Sequence, residues 1–269
     1  MRIAVAGKGG TGKTTIAGIL TRILARAGRP VVAVDADTNP NLAAMVGLEP
    51  EAAGRLEGLP TGLLDRVEVN GEWRTILTRP AEDVVADHAV TGPDGVRVML
   101  MGQVAHAGKG CMCRAHSSMR TFLEAIVQEP ARDGEAVIMD MEAGLEHLSR
   151  GTGRHVDVMV AAVEPYYRAL ETGRRVVELA RELGVGRIVA VANKVRDEAD
   201  RDAVRAYLEG QGIESAGSIP FDPTLMEAER AGRAPFDHDP GSPAVVAVEA
   251  LAGTLEERPP TPLERDSRV

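Results

Sequence analysis

Rings are scarce in this sequence: one Trp, three Tyr and three Phe among 269 residues. A core for a chain of this length must therefore be filled by Val, Ala, Leu, Ile and Met, which suits a parallel sheet covered by helices on both faces. Cysteine is rarer still, with Cys111 and Cys113 alone, a usage that points to a reducing cytoplasm. No apolar run is long enough to span a bilayer, and no charged leader with an apolar centre and cleavage site is visible. Basic residues are outnumbered, giving a formal net charge of -9 that argues against a general binder of nucleic acid or anionic membrane. No internal repeat appears.

The charge is unevenly placed. Met1 to Val34 carries six basic residues and no acid, which leaves -15 on the remainder. A basic segment in an acidic protein marks a candidate anion site, although Arg22, Arg26 and Arg29 read more simply as the solvated face of a helix. The end of the chain is rich in proline and charge, so residues 1–256 are expected to form the domain and 257–269 a poorly ordered tail.

Short apolar strands alternate with helical periods, the pattern of β-α-β units. Ile3 to Ala6 reads as the first strand. Ile16, Ile19, Leu20, Ile23, Leu24 and Ala27 form one helix face ended by Gly28. Strands follow at Val31 to Val34, Val96 to Met101, Ala136 to Met139, Val156 to Val163 and Ile188 to Ala192. Residues 66–69 and 72–77 around Asn70-Gly71 read as a hairpin, Met119 to Val127 as a helix, and Leu170 to Leu183 as another. The expected fold is a single α/β domain, a mostly parallel twisted sheet flanked by helices on both faces.

Gly7-Lys8-Gly9-Gly10-Thr11-Gly12-Lys13-Thr14 matches G-x-x-x-x-G-K-[ST] between a strand and an amphipathic helix, the context this phosphate loop requires. Glycines let the backbone curl so that successive N–H groups face phosphate oxygens, and the helix start adds its positive dipole end. Lys13 is placed to neutralise the β- and γ-phosphates of ATP or ADP and the Thr14 hydroxyl to ligate Mg²⁺. Gly9, Gly10, Thr11, Gly12, Lys13, Thr14 and Thr15 are the nucleotide-binding candidates. Lys8, a second lysine in the loop, makes the segment resemble the "deviant" Walker A loop of the MinD/ParA/nitrogenase-iron-protein group. That resemblance implies a dimer closed around nucleotide, with Lys8 reaching the partner's phosphates as a catalytic charge.

Asp35-Ala36-Asp37 follows the second strand. Alone it is also a simple strand-end turn; the resemblance gives Asp37 the positioning of the attacking water and Asp35 a place in the Mg²⁺ shell. Asp140 ends the strand through Ile138, as a magnesium-binding Walker B aspartate does. Asn193, followed by Lys194, resembles the family's adenine contact, and Pro220 lines the same pocket. A turn cap is the plain alternative for Asn193.

Cys111-Met112-Cys113 sits among Gly108, Lys109, Gly110 and Arg114, which argues against a buried core position. A disulfide between residues two apart is strained. Two thiolates are soft ligands for Zn²⁺ or Ni²⁺, and two such loops facing one another in a symmetric dimer supply four. His116 reads as a solvent-facing histidine at a helix start, with an extra metal ligand as the alternative, and His147 and His155 show no diagnostic ligand spacing. Taken in order, the phosphate loop, Asp35 to Leu42, the cysteine pair, Asp140-Met141-Glu142-Ala143-Gly144-Leu145-Glu146-His147-Leu148-Ser149-Arg150-Gly151-Thr152, Glu164-Pro165 and Asn193-Lys194 resemble the CooC-type maturation ATPases of nickel-containing carbon monoxide dehydrogenase. Arg114-Ala115-His116 departs from a proline-containing stretch expected there. The resemblance implies a cytoplasmic homodimeric ATPase with Ni²⁺ or Zn²⁺ at the dimer interface, inserting nickel into that client enzyme, without nucleic-acid or membrane partners. The competing classes are a MinD/ParA-type positioning ATPase, which needs a basic surface or membrane helix, and an iron-sulfur electron donor, which needs a further cluster cysteine. Tyr166 and Tyr167 are read as packing residues, with a partner surface as the alternative.

Overall fold

The computed structural model describes residues 1–37, 39–69, 71–100, 121–122, 125, 134–142 and 156–257. At its centre lies β1 (Arg2–Gly7), RIAVAG, buried along its whole length. A strand covered on both faces has no solvent side, hence the unbroken run of small and aliphatic residues. It is flanked in parallel by β7 (Ala136–Met141) and β8 (Val158–Val163). Outward from β7 lie β2 (Val31–Ala36) and β6 (Arg97–Leu100), and outward from β8 lie β9 (Arg187–Val195) and β10 (Glu214–Pro220), all parallel. The two-residue β5 (Val90–Thr91) closes the edge antiparallel to β6, completing an eight-stranded sheet in the order β10-β9-β8-β1-β7-β2-β6-β5. The hairpin read around residues 70–71 forms separately, as β3 (Leu64–Val69) antiparallel to β4 (Glu72–Leu77).

Side chains alternate along β1 into two core layers. Ile3 and Val5 meet Ile16, Leu20 and Leu24 of α1 (Lys13–Arg26) and Val248, Leu251 and Leu255 of the last described helix, Pro243–Glu257. Ala4 and Ala6 share the opposite layer with Val176, Val177 and Ala180 of the helix Tyr167–Leu183 and with Val204 and Leu208 of the helix Glu198–Gly210. This is the expected parallel sheet between two helical layers. Phe122 is the one buried aromatic ring in either core layer among the described residues, with Tyr207 and Phe236 half-buried against them, so aliphatic packing carries the interior.

Several boundaries move. Strand β9 runs three residues past the expected end and takes in Asn193 and Lys194, and β7 continues through Asp140 to Met141. The last helix extends to Glu257, and Arg29 pairs with Glu256. The expected helix from Met119 lies largely outside the described residues, with Thr121, Phe122 and Ala125 helical. Arg22 corrects the sequence reading: it is 3% exposed, not part of a solvated face. Its guanidinium donates to Asp94 (2.8 Å), to both oxygens of Asp237 (2.7 Å each) and to the Val46 carbonyl (2.8 Å). The partners lie more than 20 residues away along the chain, which is why helical spacing alone hid them. Arg26 is exposed as expected.

Candidate active site

Parallel strands bring their carboxyl ends to one edge, and the sheet's ligand-binding crevice is expected there. Strand β1 delivers Gly7 at that edge. Gly7 has φ 150°, and a Cβ there would lie 2.5 Å from the Ala162 carbonyl oxygen of β8. The loop from Lys8 to Gly12 then turns back into α1. Gly12, the residue before the helix, is left-handed at φ 85°, and a Cβ there would lie 2.4 Å from Asn193 Nδ2. Both positions thus require glycine for conformation and for space. No side chain caps the start of α1, and its first turn holds no acid. Its leading N–H groups and positive dipole end remain available to an anion.

Within the loop, Thr11 Oγ1 donates to the Lys8 carbonyl at 2.8 Å and the Thr11 N–H to the same carbonyl at 3.2 Å. Lys13 is buried, with Nζ 3.5 Å from the Lys8 carbonyl oxygen. Gly9, Gly10 and Lys8 are exposed, and Thr14 and Thr15 are half-buried. Thr15 Oγ1 faces Met45 Sδ at 4.0 Å, where α2 (Leu42–Val46) packs on α1.

Two carboxylates face this loop from the neighbouring strands. Asp35 and Asp140 are paired in register across β2 and β7. Asp35 Oδ1 accepts the Asp37 N–H at 3.1 Å, and Oδ2 accepts the N–H groups of Asn41 (2.9 Å) and Leu42 (2.8 Å). It therefore holds the Asp37 N–H and the first N–H groups at the start of α2. Burial pushes the Asp35 carboxyl up to about 6, against the pull of these three donors, and the Asp37 charge adds to the rise. Asp37 is half-buried, and its Oδ1 accepts the Asn39 N–H at 2.8 Å.

Asp140 is different in kind. Both of its oxygens are buried and complete no hydrogen bond. Burial pushes its carboxyl up to about 7; the Thr14 hydroxyl, near without closing to hydrogen-bond geometry, and the Lys13 ammonium oppose the rise, while the charges of Asp35 and Asp37 add to it. An orphaned buried carboxylate is costly. Beside a threonine hydroxyl and a second buried carboxylate, it is a donor set that fits a hard divalent cation such as Mg²⁺.

Asn193 is 6% exposed and lies against the loop, its Nδ2 donating to the Thr11 carbonyl at 2.7 Å and its Oδ1 accepting the Lys194 N–H at 2.9 Å. One amide hydrogen and one lone pair remain. Pro220 ends β10 and is half-buried. Tyr166 and Tyr167 are 51% and 72% exposed, which corrects the expectation that they pack. Sequence reading also left Lys194 without a role, although its Nζ lies 2.5 Å from the Gly10 carbonyl oxygen and 2.6 Å from Glu164 Oε1. The only signal was its place after Asn193. Cys111, Cys113, the three histidines singled out with them and the stretch from Ala143 to Thr152 lie outside the described residues. Among the described residues no helix is long and apolar enough to cross a membrane.

The comparisons with known proteins agree with this geometry. Residues 3–245 match the CobQ/CobB/MinD/ParA nucleotide binding domain. The carbon monoxide dehydrogenase accessory protein CooC of Rhodospirillum rubrum is 36% identical over 97% of this chain and 98% of its own. An uncharacterized ATP-binding protein of Methanocaldococcus jannaschii is 34% identical over 87% of this chain and 90% of its own. The fold is that of a MinD cell division protein from Aquifex aeolicus, with a TM-score of 0.68 at 21% identity, covering 96% of this chain and 97% of that one. The chain belongs to the CobQ/CobB/MinD/ParA family of P-loop ATPases and, within it, to the CooC type.

Proposed function

We propose that this ATPase is Mg²⁺-dependent, closes as a homodimer around nucleotide, and serves as a maturation factor that delivers nickel to a carbon monoxide dehydrogenase. The observation that carries the reading is the kinship with CooC along almost the whole of both chains. The orphaned carboxylate of Asp140 beside the phosphate loop supports its nucleotide half.

In this reading the loop N–H groups and Lys13 hold the phosphates of ATP, and Asn193 and Pro220 border the adenine. Thr14, Asp35 and Asp140 would hold Mg²⁺, which supplies charge neutralisation of the phosphates. Asp35 accepts three backbone N–H groups, so its larger task is to set the loop that carries Asp37. Asp37 orients the water that attacks the γ-phosphorus as the bond to the ADP oxygen breaks. Lys8, exposed and without a hydrogen bond to its side chain among the described residues, is free to reach the phosphates of a facing subunit. Nickel is the cargo, and Cys111 and Cys113 of two subunits are its proposed carriers.

The test is activation of a nickel-free carbon monoxide dehydrogenase by Ni²⁺, this protein and ATP. Activation should require all three and fail with Lys13→Ala. Activation that proceeds equally without this protein would contradict the proposal.

A further inference from the structure

In extended backbone, consecutive side chains leave a sheet on opposite faces. Asn193 and Lys194 are consecutive within β9, yet both reach the same loop. Asn193 Nδ2 donates to the Thr11 carbonyl at 2.7 Å, and Lys194 Nζ to the Gly10 carbonyl at 2.5 Å. The backbone explains how. Lys194 has φ 58°, one of two non-glycine residues with positive φ among the described residues; the other is Asp94. A left-handed lysine inside a strand is strained, and such strain persists where the surroundings over-determine it. Here the surroundings are the loop carbonyl and Glu164, directly after β8, whose Oε1 pairs with the ammonium at 2.6 Å.

The consequence follows from peptide geometry. Across a trans peptide the carbonyl and the next N–H point in opposite directions. Holding the Gly10 and Thr11 carbonyls from outside therefore fixes the Thr11 N–H, which closes the turn onto the Lys8 carbonyl at 3.2 Å, and the direction of the Gly12 N–H. Gly9 and Gly10 are exposed and carry no side chain to anchor the loop themselves. A loop set in advance spends less of its binding free energy on ordering when a ligand arrives.

We infer that Lys194 is a positioning residue of the nucleotide site: held by Glu164, its ammonium fixes the Gly10–Thr11 peptide and pre-forms the phosphate loop. The inference rests on the reading of that loop as the nucleotide site, and it concerns affinity rather than the hydrolytic step. Lys194→Gly separates the side chain from the strained backbone, because glycine adopts the left-handed conformation without steric cost. Calorimetric titration with ADP and Mg²⁺ should show binding about tenfold weaker than wild type, the size expected for a lost hydrogen bond to a charged group, with a melting temperature within a few degrees of wild type. Glu164→Gln, which releases the ammonium without touching the β9 backbone, should weaken ADP binding in the same direction by a smaller factor. Wild-type affinity in both variants would overturn the inference while leaving the nucleotide site intact. Failure of the wild-type protein to bind ADP would overturn the nucleotide reading and the inference with it.

Discussion

Asp35 and Asp140 stand side by side in register on β2 and β7, each 1% exposed, yet one is saturated with backbone donors and the other has none. Their carboxyls are pushed up to about 6 and about 7 from an ordinary value of 3.8. Between about pH 4 and 7 the folded protein therefore keeps protons that the unfolded chain has released. For these two groups, stability is greatest at the acidic end and falls as pH rises through 6 and 7. The melting temperature of the nucleotide-free protein in a chelator should fall between pH 5.5 and 7.5, and Asp140→Asn should flatten that slope. An equal slope in both proteins would remove Asp140 as its source.

Lys13 and Lys8 share a loop but not an environment: Lys13 is buried beneath it, and Lys8 is exposed. Lys13→Ala should lose most ADP affinity, because the β-phosphate loses its fixed counter-charge. Lys8→Ala should bind ATP normally and lose steady-state hydrolysis by about 1000-fold or more, in the range of other charges supplied across an interface. Wild-type turnover in Lys8→Ala would rule out a catalytic charge delivered to a partner.

Asp37→Asn keeps an acceptor for the Asn39 N–H and should preserve that hydrogen bond. It removes the charge that orients water. Hydrolysis should drop while an ATP-bound dimer accumulates, read as a doubled mass by light scattering. A variant that turns over ATP and stays monomeric with it would contradict the assignment.

Arg22 gives a test of the scaffold rather than the chemistry. It joins α1 to the end of α2, to the turn at Asp94 and to the helix carrying Asp237. Arg22→Ala would leave partly buried carboxylates unpaired, at a cost of about 3 kcal/mol. Denaturant unfolding should show a lower midpoint of that size. A change below about 1 kcal/mol would mean that the network is dispensable.

The parts of this molecule that sequence made legible are those whose signal is local. The phosphate loop, the buried strands, the apolar stripe of α1 and the hairpin at Asn70-Gly71 all follow from spacing and turn chemistry within a few residues. Arg22, Lys194 and the tyrosines were misread or unread because tertiary placement decides them. A buried arginine and a solvated one look alike at helical spacing. Nothing in the letters says that Lys194 breaks the alternation of its strand. The contrast between Asp35 and Asp140 is likewise invisible, since both are aspartates at strand ends and differ only in which N–H groups arrive.

Metal content and subunit mass, measured in the same sample with and without nucleotide, bear most directly on the central claim. If Cys111 and Cys113 of two subunits share one tetrahedral ion, wild-type protein should hold one Ni²⁺ or Zn²⁺ per two subunits and run as a dimer. Nucleotide should shift metal affinity, since both ligands bridge the same pair. Cys111→Ala combined with Cys113→Ala should abolish stoichiometric metal and still bind ADP. One metal held tightly by a monomer, or undiminished metal in the double variant, would contradict the account.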